Sequence, residues 1–237
     1  MIVPNYMPDP IEVPGNVTTE RYSVRLAFIR RVIGLYMASL GLIWGFTMAP
    51  IPHFGIEPSL VVLIAFLLIL EFVRIRWRGK RQEPIVSCVV FIPVILLLAL
   101  SLRELQIAKF PVWAFFVGPT CAAIYASLCG RDFSFVGCFF LSLIASSVMV
   151  AVGSISLRLS GPSATCALLT NFAYLLYWVY DLAALMARRR IGEEAAAVVD
   201  LYRDVFNIFG YIPRVIYHWK KHRIWVVPPA SHRQRED

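Results

Sequence analysis

Along the chain, long stretches free of Asp, Glu, Lys and Arg alternate with short clusters that hold nearly all of the charge. Five stretches are long enough to cross a hydrocarbon core, which takes about 20 mostly apolar helical residues. They run Val32 to Ile56, Pro84 to Leu102, Phe110 to Gly130, Phe133 to Leu157 and Leu159 to Tyr180. Two further apolar segments carry charge: Ser59 to Val73 with Glu71, and Ala195 to Tyr217 with Asp200, Arg203, Asp204 and Arg214. Lipid offers the backbone no hydrogen-bond partners, so each segment predicts a helix. The expected fold class is an all-α membrane protein, a seven-transmembrane bundle over residues 26–218. The proline-bearing segment 1–25 and the tail 219–237 are too short to bury cores of their own.

Composition agrees. Of 237 residues, 59% are hydrophobic and only 16% charged, against about a quarter charged in a soluble domain. That excludes disordered, collagen-like and nucleic-acid-binding readings, and makes the lipid bilayer the first partner. Residues 1–25 hold prolines and acids where a signal peptide has an apolar run, so the first helix is expected to target the chain. The cysteines, Cys88, Cys121, Cys129, Cys138 and Cys166, lie in or beside apolar segments without ligand spacing and read as packing.

The net charge of +8 is then a matter of topology. Counted on alternate sides, thirteen Lys and Arg, among them Arg30, Arg31, Arg74, Arg131 and Arg188 to Arg190, stand against Arg103, Lys109 and Arg158. Basic residues stay on the cytoplasmic side, which puts the N-terminus there. The basic tail, with Lys220, Lys221 and Arg223, resists this if the last segment spans, so that segment is either a buried helix fixed by its neighbours or re-entrant. Asn16-Val17-Thr18 is a glycosylation sequon, and a glycan there would reverse the orientation.

Ionisable residues inside a membrane mark function or pairing. Asp181 lies seven residues before Arg188, roughly 10 Å below that basic collar at the helical rise. Asp200 and Asp204 are four apart, and Asn207 and Tyr211 continue their stripe, giving one polar face on an apolar helix. Such a helix is expected at the centre of the other six. Two carboxylates close together in low dielectric hold a proton between them, a proton-sensitive latch. Deprotonated, the same oxygens suit Ca²⁺. The alternative is a structural ion pair with Arg203 or another buried cation. Glu71 has Arg74 at i+3 and is expected in an interfacial salt bridge.

In order, these landmarks resemble the transmembrane Bax inhibitor motif family, the Bax inhibitor and Lifeguard proteins. Gly130-Arg131-Asp132-Phe133-Ser134-Phe135-Val136-Gly137 resembles its basic-Asp-Phe-Ser-x-x-Gly loop. Tyr180-Asp181, Arg189-Arg190 and the run from Asp200 to Phe209 resemble its Leu-Tyr-x-Asp-x-x-Asn-x-Phe signature, and Ala27 to Leu35 resembles the start of its first helix. The resemblance implies six helices around a central seventh. It also implies a pH-sensitive Ca²⁺ leak gated by an aspartate pair, here Asp181 and Asp204, that lowers stored Ca²⁺ and restrains apoptosis. It places the chain in the endoplasmic reticulum or another internal membrane. The chain departs from the pattern at Ile95, where many members carry an acid, and at Asp200 and Arg203, whose charges alter selectivity and pH response. Its divergence resembles that of virus-encoded, cytomegalovirus-like members, and the resemblance implies membrane proteins or host apoptosis regulators as partners.

The leading expectation is therefore a Ca²⁺-permeable leak channel with no cofactor, Ca²⁺ being the permeant ion and bound transiently by Asp181 and Asp204. Loss of the shared proton, or its displacement by Ca²⁺, is expected to part the sixth and seventh helices. The chain is not expected to be an enzyme. An intramembrane aspartyl protease would carry its second aspartate in Gly-x-Gly-Asp, whereas Asp204 follows Leu201-Tyr202-Arg203. A third class is a non-conducting adaptor working through the basic aromatic patch His218 to Trp225. Gly41 and Gly45 form a weak Gly-x-x-x-Gly dimerisation motif.

Overall fold

The structure is a computed structural model describing residues 13–49, 54–77, 80–130 and 133–204; for Arg74 and Ile75 it describes the backbone alone. The described chain is all-helical. A 3-10 turn, Val17–Thr19, leads into α1 (Tyr22–Met48), α2 (Ile56–Trp77), α3 (Glu83–Ile107), α4 (Ala114–Leu128), α5 (Phe135–Ser156) and α6 (Gly161–Arg188). A further helix, α7, is described over residues 194–204.

Five of these helices, α1, α2, α3, α5 and α6, are long and apolar enough to cross a membrane, making the protein an all-α, multi-pass membrane protein. The stretch Phe110 to Gly130 falls short of expectation. Pro111 and the turn after it leave α4 only 15 residues, about 22 Å of helix against a core of about 30 Å. α1 begins ten residues before its charge-free stretch, because Arg25, Arg30 and Arg31 are themselves helical.

The polarity of α5 is inverted relative to a helix of a soluble protein. Its buried positions include Ser142, Ser146 and Ser154, while Leu141, Ile144, Val148, Val152 and Ile155 are exposed. α2 and α3 likewise expose Val61, Ile64, Leu68 and Phe72, and Ile85, Val89, Ile92 and Leu96, at spacings of three to four residues. Helices in lipid gain nothing by hiding leucine from their surroundings, and turn small and hydroxyl side chains toward one another.

Local chemistry fixes the element ends. Ser134 Oγ caps α5 by accepting from Gly137 N at 3.2 Å, a bond whose loss typically costs about 1 kcal/mol. Gly137 packs closely: a Cβ there would sit 2.7 Å from Tyr125 Oη, so the ring would have to move. Arg30 of α1 donates to Ala126 O and Gly130 O, carbonyls that α4 cannot pair at its own end. Among the described residues nothing lies within 4 Å of a Cβ placed on Gly41 or Gly45.

Helices α2 and α3 pair, α4, α5 and α6 form a second group, and α1 touches both α3 and α4. The described residues of α7 enter this assembly. Ala196 to Asp204 are all buried, and the Tyr202 ring lies 5.0 Å from both Tyr36 of α1 and Phe91 of α3.

Candidate functional site: an ion network between the sixth and seventh helices

The start of α7 and the end of α6 meet through charged side chains. The turn between them is tight: Glu193 N donates to Arg190 O, and Gly192 takes φ +91, a left-handed conformation that glycine adopts without strain. This turn folds Asp200, Arg203 and Asp204 back toward Asp181, Arg188 and Arg189.

Asp181 and Asp204 are brought together, with a guanidinium between them. Arg188 Nη1 lies 3.2 Å from Asp181 Oδ1 and 2.5 Å from Asp204 Oδ2. The rise between Asp181 and the basic collar is spanned by the Arg188 side chain. The two Cα positions are seven residues apart on one face, but helical side chains lean toward the N-terminus and a long Arg reaches back along its own helix. The positive charge between the carboxylates is therefore Arg188, where a shared proton or Ca²⁺ was expected. Tyr177 Oη donates to Leu201 O at 2.9 Å and lies 3.5 Å from Asp181 Oδ2, adding a second tie between α6 and α7.

A second clamp stands beside the first. Arg189 donates to Glu83 on α3 at 2.6 and 3.1 Å, and to Asp200 on α7 at 2.7 and 2.9 Å. Burial works against the Arg189 charge, but Asp200 and Glu83 outweigh it and hold the guanidinium well above its usual value. Glu83 also accepts from Ser87 Oγ at 3.0 Å.

Arg203 joins the clamps. It lies 2.7 Å from Asp200, 3.0 Å from Asp204 and 3.3 Å from Glu71 on α2. Glu71 thus has a partner on α7, beyond the i+3 interfacial bridge expected with Arg74, whose side chain is outside the described residues. The structural ion pair weighed for Asp200 and Asp204 is present, with Arg203 between them. Glu71, Glu83, Asp181, Asp200 and Asp204 face Arg188, Arg189 and Arg203, so fully ionised the named side chains leave negative charge in excess.

The sequence reasoning missed Arg188, Arg189 and Glu83 as members of the site. The Arg triplet reads as a topological collar, and Glu83 as the boundary before Pro84. The one available signal is that Arg188 falls on the Asp181 face. Asn207 and Tyr211, the basic tail, and Arg131 and Asp132 of the loop motif lie outside the described residues. Ile95 is partly buried and packs on the core.

Among the described residues no group of three or more His, Cys, Asp and Glu is arranged to hold a metal ion. Asp181 and Asp204 supply four oxygens between them, fewer than the six to eight a resident Ca²⁺ takes. Farther down α6, Asn171 Nδ2 donates to Ser146 Oγ at 2.9 Å. Among the described residues the Asn171 Oδ1 and Ser154 Oγ atoms are buried without a hydrogen-bond partner; a buried polar atom left so costs about 1–3 kcal/mol.

The chain matches no protein-family model, no curated protein and no solved structure.

Proposed function

We propose that the protein is a pH-sensitive, Ca²⁺-permeable leak channel of an internal membrane, drawn here closed, with α7 at the centre of six helices and the N-terminus cytoplasmic. The observation that carries this reading is Arg188 Nη1 bridging Asp181 and Asp204, a latch between two helices made of groups that gain or lose charge. The motif resemblance supports it, and with it membership in the Bax inhibitor and Lifeguard family and a part in lowering stored Ca²⁺ and modulating apoptosis.

Closed, the guanidinium is shared by both carboxylates, offsetting one of their two charges, and through Asp204 holds α7 against α6. An ion pair at about 4 Å and an effective dielectric of about 20 is worth roughly 4 kcal/mol. A proton on Asp204, the aspartate across the helix boundary, removes that attraction, enough to shift the closed-to-open ratio roughly a thousandfold, while Asp181, on α6 with Arg188, holds the guanidinium in place for it. The sign reverses the first expectation: with Arg188 between the aspartates, gain of a proton opens the latch, and its loss closes it. Once Arg188 withdraws, the acidic excess draws cations and the aspartates line their route. The same bridge argues against catalysis, since an aspartyl protease needs its carboxylates to share a proton and a water where Arg188 stands.

The test is Ca²⁺ entry into dye-loaded liposomes containing the purified protein. Asp181→Asn and Asp204→Asn should each abolish the response to pH. Flux and pH dependence unchanged in both variants would refute the mechanism.

A further inference from the structure

The N-terminal segment is tied to the chain on both sides of the latch arginine. Val13 N donates to Ala187 O at 3.1 Å and Val17 N donates to Arg189 O at 3.0 Å, so hydrogen bonds flank Arg188 along the backbone. Arg190 Nε returns a bond to Pro14 O at 3.1 Å. Val17 is fully buried and Asn16 nearly so, with the Asn16 Oδ1 accepting from Thr18 N at 2.9 Å. Gly15 takes φ +71 in the turn that lets the segment double back.

These bonds fall where α6 runs out of partners. Its last carbonyls have no intrahelical donors, and Arg189 has already left the helix with φ −126 and ψ 154. From that extended residue the guanidinium reaches Glu83 and Asp200, while the preceding residue reaches Asp181 and Asp204. Small changes in the backbone at 187–189 would swing both side chains out of their pairs.

We infer that residues 13–20 form a strap that holds the 187–189 backbone so that Arg188 and Arg189 stay in their ion pairs and α7 stays docked. This rests on the proposed latch for its effect on conduction, but the hold on α7 is measurable without it. Displacing the strap opens the latch without acid, which gives the protein a second, proton-independent control.

Val17→Pro is the discriminating variant. Val17 is the first residue of its 3-10 turn, where proline fits, and Asn16 at φ −72 and ψ 167 already has the conformation that precedes proline. The substitution deletes the N–H that bonds Arg189 O and puts an apolar ring of similar size in place of the buried Val17 side chain. In the reconstituted full-length protein, hydrogen exchange over residues 185–204 should accelerate, and Ca²⁺ flux should appear at a pH where the unsubstituted protein is closed. A second variant lacking residues 1–20 should behave likewise, and adding a peptide of residues 10–20 should slow exchange again. Exchange unchanged in both variants overturns the strap whether or not the protein conducts. Faster exchange with flux still shut, in a protein that opens on acidification, overturns its control of the latch. Absence of flux at every pH in the unsubstituted protein refutes the channel reading instead, and exchange alone then decides the strap.

Discussion

Replacing Arg189 by methionine isolates the second clamp and gives a magnitude that can be worked out beforehand. Arg189 makes four contacts of 2.6 to 3.1 Å to two buried carboxylates. The two acids would be left differently. Asp200 keeps Arg203 at 2.7 Å, whereas Glu83 keeps only the Ser87 hydroxyl among the contacts described above. Most of the loss therefore falls on Glu83, a charge stranded in the bundle, and breaking such a buried pair costs about 3–5 kcal/mol. The double variant Arg189→Met/Glu83→Gln should recover most of this, because it removes the stranded charge along with its partner. The contrast is Arg31→Gln, which breaks the 2.8 Å bridge to Glu194 from an arginine whose side chain is 53% exposed, and should cost less than about 1 kcal/mol. Unfolding in mixed micelles with rising denaturing detergent, followed by helical circular dichroism, reads all three. A loss in Arg189→Met as small as that in Arg31→Gln, or no recovery in the double variant, would refute the reasoning that the clamp is a desolvated ion pair.

Two further predictions concern packing. Gly137→Ala and Gly153→Ala would place a Cβ 2.7 Å from Tyr125 Oη and 2.9 Å from Trp113, and each should destabilise by about 1–3 kcal/mol in the same unfolding assay. Gly45→Ala, with nothing within 4 Å among the described residues, should instead stabilise α1 by up to about 1 kcal/mol; a loss of dimer in that variant by analytical ultracentrifugation would show that the glycine face meets a second copy. Ser134→Ala removes the hydroxyl that accepts from Gly137 N and should cost about 1 kcal/mol.

How much of this was legible in the sequence follows from what each signal depends on. The charge-free stretches located the helices, because an uninterrupted apolar run in lipid has few alternatives to a helix. They did not fix the lengths: α1 runs back through Arg25, Arg30 and Arg31, since basic residues at a helix end can snorkel to the interface, and α4 is cut to 15 residues by the turn after Pro111. Asp181 and Asp204 stood out as acids without a topological excuse, and they do meet. Arg188 and Arg189 were hidden by having such an excuse, for a triple arginine after a spanning helix explains itself as a collar. Glu83 was hidden for the same reason at the start of α3. Its contact with Arg189 spans more than a hundred positions, and no local pattern encodes a pairing of that range. The strap was equally invisible, because backbone hydrogen bonds from Val13 and Val17 leave no trace in side-chain identity.

The central claim is that Arg188 locks the aspartate pair while both are ionised, and the most direct measurement is Ca²⁺ flux against pH in liposomes for the unsubstituted protein and Arg188→Gln. The account predicts that the unsubstituted protein is closed at neutral pH and opens on acidification, and that Arg188→Gln conducts at neutral pH with its pH response blunted. An Arg188→Gln protein that stays closed at neutral pH and opens on the same curve would contradict it.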